Sequence, residues 1–109
     1  MTDEKLYLLA EFSVKPHFVE EVKNIFSRLL PTVLKEQGCE AMYTTSIDGD
    51  PNKLVFFEVF SSQAAHNFHM AQDYTRKLAV DLEGKLERPP VMTKLNAFLK
   101  KGGRRLAPS

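Results

Sequence analysis

The stretch LYLLAEFSVKPHFVEEVKNIF, residues 6–26, changes its hydrophobic period at Pro16, and that change decides the fold. Across 5–14, Leu6, Leu8, Ala10, Phe12 and Val14 share one face, while Tyr7, Leu9, Glu11 and Ser13 share the other. A period of two with one wholly apolar face is a half-buried strand. Beyond the proline, Phe18, Val22, Ile25, Phe26, Leu29, Leu30 and Val33 recur at three- and four-residue steps, with Glu20, Lys23, Asn24 and Arg28 opposite. That pattern is an amphipathic helix over 18–37. Pro16 sits where a helix starts. Pro31 is expected to kink the helix by removing a ladder bond, and Gly38 to cap its C-terminus.

The chain on either side completes the pattern. Residues 39–47 are rich in Thr, Tyr and Met and read as a strand. DGDPN, at 48–52, is dense turn chemistry and reads as a hairpin loop. The run 53–60 is the most strand-prone of all. Ser61 or Ser62 then caps a second helix, expected to continue to about Leu86 with a break near Gln72 or Asp73. Pro89 and Pro90 halt it, and VMTKLNAFL, at 91–99, alternates as a fourth strand. The order β-α-β-β-α-β is the split βαβ, ferredoxin-like α+β plan: four antiparallel strands with the helices on one face. The other face is left bare, yet carries Tyr7 and Leu9. It is the expected docking surface for a second copy of the chain, making a two-fold homodimer.

At 109 residues the chain is one domain, able to bury roughly 60–70% of its unfolded surface without disulfides or a metal. The domain is expected to span 1–100 and to end in a flexible basic tail at 101–109. A net charge of +1 gives no electrostatic reason to expect nucleic acid or an anionic membrane as partner. The single cysteine, Cys39, has no internal disulfide partner, and no Cys/His zinc spacing is present. The first residues do not form a signal peptide and no run approaches the ~20 apolar residues of a membrane span. The cytoplasm is the expected compartment.

Three motifs in register with these elements resemble the antibiotic biosynthesis monooxygenase family. VKPHFVEEV (14–22) resembles its Lys-Pro-Gly-x-x-Glu-Glu opening. LKEQGCEAMY (34–43) is similar to its Glu-x-Gly-Cys run. GDPNKLVFFEVFSSQAAHNFH (49–69) resembles its Asp-Pro-x-x-hydrophobic-Glu-x-Trp stretch followed by Ala-Leu-x-x-His. The resemblance covers about 6–78. His17 stands where the family has glycine, Phe60 where it has Trp or Tyr, His66 where it has Leu, and Tyr74 where many members have a second histidine. Phe60 lacks an indole N–H and Tyr74 replaces a base by a hydroxyl.

The resemblance implies a dimeric α+β barrel with a pocket between sheet and helices. It also implies oxygenation of quinol-like or polyketide-like aromatics by molecular oxygen, with no cofactor and no metal. Haem-degrading enzymes and an isomerase of a phosphorylated sugar are among the relatives, so haem binding, isomerisation or tautomerisation of a small hydroxy-ketone, and non-catalytic ligand binding stay open beside it. For a phosphorylated substrate, Lys35, Lys53 and Arg76 are the candidate cations.

Cofactor-free oxygenation needs a base, donors for a developing oxyanion and a dry aromatic pocket. Glu58 shares a strand face with Leu54, Phe56 and Phe60. It is either a desolvated proton carrier in an apolar wall or a strand-edge carboxylate paired with a lysine. His69, at the family's histidine position, is the expected base or oxyanion donor, so His69 and Glu58 form the expected catalytic pair. Phe56, Phe60, Phe68 and Tyr43 are the candidate aromatic lining, and Asn67 and Tyr74 the candidate substrate donors. His66, one turn before His69, reads as packing or rim. His17 reads as surface, and Cys39 as a buried inert thiol.

Overall fold

The structure, a computed structural model, describes residues 4–100 and 104–105. Four strands, β1 (Leu6–Ser13), β2 (Cys39–Ile47), β3 (Asp50–Phe60) and β4 (Val91–Leu95), form one antiparallel sheet in the order β2-β3-β1-β4. Helices α1 (Val19–Leu34), α2 (Gln63–Ala71) and α3 (Asp73–Asp81) connect them. This is the ferredoxin-like plan expected from the periods. The expected tail lies outside the described residues apart from 104 and 105. Their backbone, β6 (Arg104–Arg105), pairs antiparallel with β5 (Leu99–Lys100).

The alternation of β1 translates directly into burial, with Leu6, Leu8, Ala10 and Phe12 buried and the residues between them only partly so. Leu54, Phe56, Glu58 and Phe60 of β3 are buried beside them. All three helices pack on this face. Phe12, Phe26 and Phe56 meet with ring centroids 4.6–5.1 Å apart and tilted or edge-on planes. Such pairs add about 0.5–1.5 kcal/mol each beyond the area they bury, and here they fix α1 to the sheet.

Element ends and loops depart from the periodic reading in several places. A short 3-10 turn, Pro16–Phe18, precedes α1. The helix then runs on through Pro31 to Leu34. Gly38 is not the left-handed cap, because α1 closes on Lys35 in right-handed geometry. Its smallness serves packing instead: a Cβ at Gly38 would overlap Ala65 Cβ, where the α1–β2 loop presses on α2 and Gly38 O accepts from Ser61 N at 2.8 Å.

The hairpin is tighter than 48–52, since Ile47 already pairs with Asp50. Gly49 supplies the φ of +85° that such a turn demands. The last helix ends at Asp81, not near Leu86. Gly84 turns left-handed, and Leu86 bridges to Val14 beside the sheet. Finally, β4 stops at Leu95 rather than Leu99, because Leu95 pairs with Tyr7 and β1 begins only one residue earlier, leaving the strand no partner.

Candidate active site

Between the helices and the inner face of the sheet lies a cavity of about 230 Å³. Phe12, Phe56 and Met42 belong to its sheet wall, and Phe26, Leu29 and Leu78 to its helix wall. Glu58, His66 and His69 are its ionisable lining residues. Glu58 and His69 therefore line one half-open pocket.

Glu58 reaches the cavity because β3 alternates, and every second side chain from Leu54 onward turns inward. It is flanked across the strands by Leu8 and Met42. It is 5% exposed and forms no ion pair among the described residues. Burial without compensation pushes its carboxyl up to about 7. Near neutral pH this group is divided between acid and base, which is the condition for moving protons in either direction.

His69 is held by a residue the periodic reading passed over. Its Nδ1 lies 2.8 Å from Oε2 of Glu36, a carboxylate only 8% exposed just beyond the end of α1. The Tyr74 hydroxyl donates to the same oxygen at 2.5 Å. The tautomer of His69 that donates from Nδ1 to Glu36 leaves Nε2, which has no hydrogen-bond partner among the described residues, as the lone-pair nitrogen. Burial, and then the bond to Glu36, push the Tyr74 phenol up to about 12, so it serves as a donor and not as a base.

The break at Gln72 makes this convergence possible. On one continuous helix, residues five apart project about 140° from each other, and His69 and Tyr74 would diverge. Gln72 is instead extended, with ψ at 146°, and α3 restarts in a new direction. Thr75 Oγ1 donates to His69 O at 2.7 Å across the break. A signal for Glu36 did exist in the sequence. It continues the stripe Val22, Leu29, Val33 by one more three-residue step, and so places a carboxylate at a core position.

The other candidates separate by position. Phe56 lines the cavity. Phe60 is fully buried, with centroids 5.1 Å from His66 and 5.3 Å from His69, so it backs the histidines and does not line the cavity. Tyr74 is absent from the lining because its hydroxyl is committed to Glu36. Asn67 and Phe68 are exposed on α2, and Asn67 accepts from Gln63 at 3.0 Å. Tyr43 is 63% exposed on the opposite face of the sheet, stacked with Phe57. The strand period alone assigns Tyr43 to that face, since its ladder partner Phe57 is out of phase with Glu58.

His66 is a lining residue, closer to the chemistry than its sequence context indicated. Its Nε2 is buried without a partner among the described residues, and burial followed by the neighbouring His69 lowers its basicity. His17 is exposed, as expected. Cys39 is buried, and its thiol is pushed up by burial and then by Glu36. Lys35, Lys53 and Arg76 do not line the cavity; Lys53 pairs with Glu11 at 3.1 Å on the bare face. Among the described residues no three metal-ligating side chains converge, and no helix is long and apolar enough to cross a membrane.

Fold and cavity together define a ferredoxin-like α+β protein with a mainly apolar chamber between sheet and helices, lined by one carboxylate and two imidazoles. The antibiotic biosynthesis monooxygenase family model matches residues 6–79, and the chain belongs to that family. Among solved structures, an antibiotic biosynthesis monooxygenase is 22% identical, with a TM-score of 0.79 over 84% of this chain and 97% of the other. A conserved protein from Methanosarcina mazei is 22% identical, with a TM-score of 0.80 over 84% and 91%. A protein from Mycobacterium tuberculosis is 18% identical, with a TM-score of 0.84 over 91% and 100%. At these identities the likeness is one of fold. No match was found among the curated proteins.

Proposed function

We propose that this protein is a cofactor-independent monooxygenase acting on a small, electron-rich aromatic of the quinol or polyketide type. The observation that carries the reading is the unpaired Glu58 carboxylate, buried in an apolar wall and facing the same cavity as His69. A phenol bound there gives its proton to Glu58 or to His69 Nε2. The resulting anion supplies electrons to molecular oxygen. One oxygen atom enters a ring carbon, and the other leaves as water with two hydrogens taken from the substrate. Glu36 keeps His69 oriented, Tyr74 holds Glu36, and the aromatic lining excludes the water that would quench the anion.

The test is oxygen consumption with a panel of quinols and anthrones, comparing wild type with His69→Ala and Glu58→Gln. The expected result is turnover that falls by about 10²–10⁴-fold on loss of a proton-transfer group. Absence of turnover on every member, or turnover indifferent to both substitutions, would refute the reading. A non-catalytic ligand-binding role is the second reading. It is favoured by Phe60 and Tyr74, both turned away from the cavity.

The same proposal includes a homodimer formed through the bare face. Tyr7, Phe57 and Tyr43 run across β1, β3 and β2 as a stacked row with 6.4 Å between ring centroids. Tyr43 is exposed and Tyr7 and Phe57 are half-buried, and a partly exposed aromatic row of this kind suits an interface core.

A further inference from the structure

A second chamber adjoins the first. A groove of about 260 Å³ lies between α1 and the edge strand β2, and Phe26, Leu30, Thr44 and Phe56 line it and the inner cavity alike. The two volumes are therefore neighbouring compartments with shared walls. Neither alone reaches the roughly 300 Å³ at which small-molecule sites begin, and both together do.

Their chemistry differs. Among the described residues the inner cavity has two imidazoles and a carboxylate but no lysine or arginine. Among the described residues the outer groove has one ionisable lining residue, Lys23, and the hydroxyl residues Ser27, Thr44 and Ser46; Thr45 also borders it, but its hydroxyl donates to Val55 O. Lys23 is half-buried and has no acidic partner among the described residues, whereas Lys5, Lys53, Lys77 and Lys85 each have one. Lys23, Ser27 and Leu30 stand four and three residues apart, on the side of α1 that faces β2. An unpaired ammonium in a groove that also presents hydroxyls is complementary to a carboxylate.

We propose that the outer groove is an anion subsite. On this assignment the substrate is elongated, with its ring in the inner cavity and a carboxylate-bearing tail reaching Lys23. The proposal rests on the assignment of the inner cavity as the ring site, and it adds a specificity residue that takes no part in proton transfer.

Fluorescent probe binding tests it without oxygen or turnover. Anilinonaphthalene sulfonate is an aromatic anion, and N-phenyl-1-naphthylamine is its uncharged counterpart. Lys23→Glu is expected to weaken the anionic probe by about tenfold, equivalent to about 1.4 kcal/mol, while neutral-probe affinity stays within about twofold. Lys35→Glu, the same charge change at an exposed residue lining neither chamber, is expected to leave both affinities within about twofold. Equal loss of both probes in Lys23→Glu, no loss of either, or an equal effect of Lys35→Glu overturns the subsite alone. Failure of the neutral probe to bind wild type overturns the ring site and the subsite together.

Discussion

Replacing Glu58 by glutamine removes that residue's contribution to the pH dependence of stability. The carboxyl rises from 4.5 to about 7 on folding because burial disfavours its ionised form. The folded state therefore holds the proton more tightly than the unfolded chain. Below about pH 4.5 Glu58 is protonated in both states and no cost arises. As pH rises towards 7 the unfolded chain ionises first, and stability falls until the folded protein ionises too. A difference of ~2.5 units at 1.36 kcal/mol each is ~3 kcal/mol. Glutamine has nearly the same shape and never ionises, so Glu58→Gln should match wild type at pH 5 within ~1 kcal/mol and exceed it at pH 8 by ~2–3 kcal/mol. Urea unfolding at the two pH values measures this directly. A wild-type advantage at pH 8, or equal pH dependence in both proteins, would refute the claim that Glu58 is buried without compensation. The same ionisation should appear in catalysis as activity rising through about pH 7, and it should vanish in Glu58→Gln.

The Glu36 cluster makes a second test, by double-mutant cycle. Tyr74→Phe should cost ~1–2 kcal/mol in wild type, because it removes a hydrogen bond to a buried carboxyl acceptor. In a Glu36→Ala background it should cost less than half of that, since the acceptor is gone; strict additivity would show that the bond does not matter. On the bare face, Tyr43→Glu should convert the proposed homodimer to monomer in sedimentation at micromolar concentration while leaving the cavity residues in place. A wild type already monomeric under those conditions removes the dimer from consideration.

Much of this architecture was legible because strand and helix periods are local properties. The alternation through Leu6, Leu8, Ala10 and Phe12 gave β1 its buried face. Applied to β3 the same rule turns Glu58 inward, and applied to β2 it puts Tyr43 on the bare face, where the expectation that Tyr43 lines the chamber fails. The Ser62 cap was also readable, and its side chain accepts from Ala65 N at 3.1 Å. Strand and helix ends were less legible. Where β4 stops depends on where β1 starts, and where α3 stops depends on Leu86 finding Val14. Those are facts about partners, not about the segment itself.

By itself, then, the sequence determined the order of elements, the face each presents, and the presence of one carboxylate among phenylalanines with a histidine on the following helix. Only the tertiary structure decided what those groups meet. Glu36 lies 33 residues from His69 and 38 from Tyr74, and they share an oxygen because the end of α1 packs beside a helix pair broken at Gln72. Lys23 lies on the polar side of its helix by period, yet packing against an edge strand turned that side into the wall of a groove. A period specifies direction relative to a segment's own axis. Distances between segments are set by the packing of one core, which no single segment encodes.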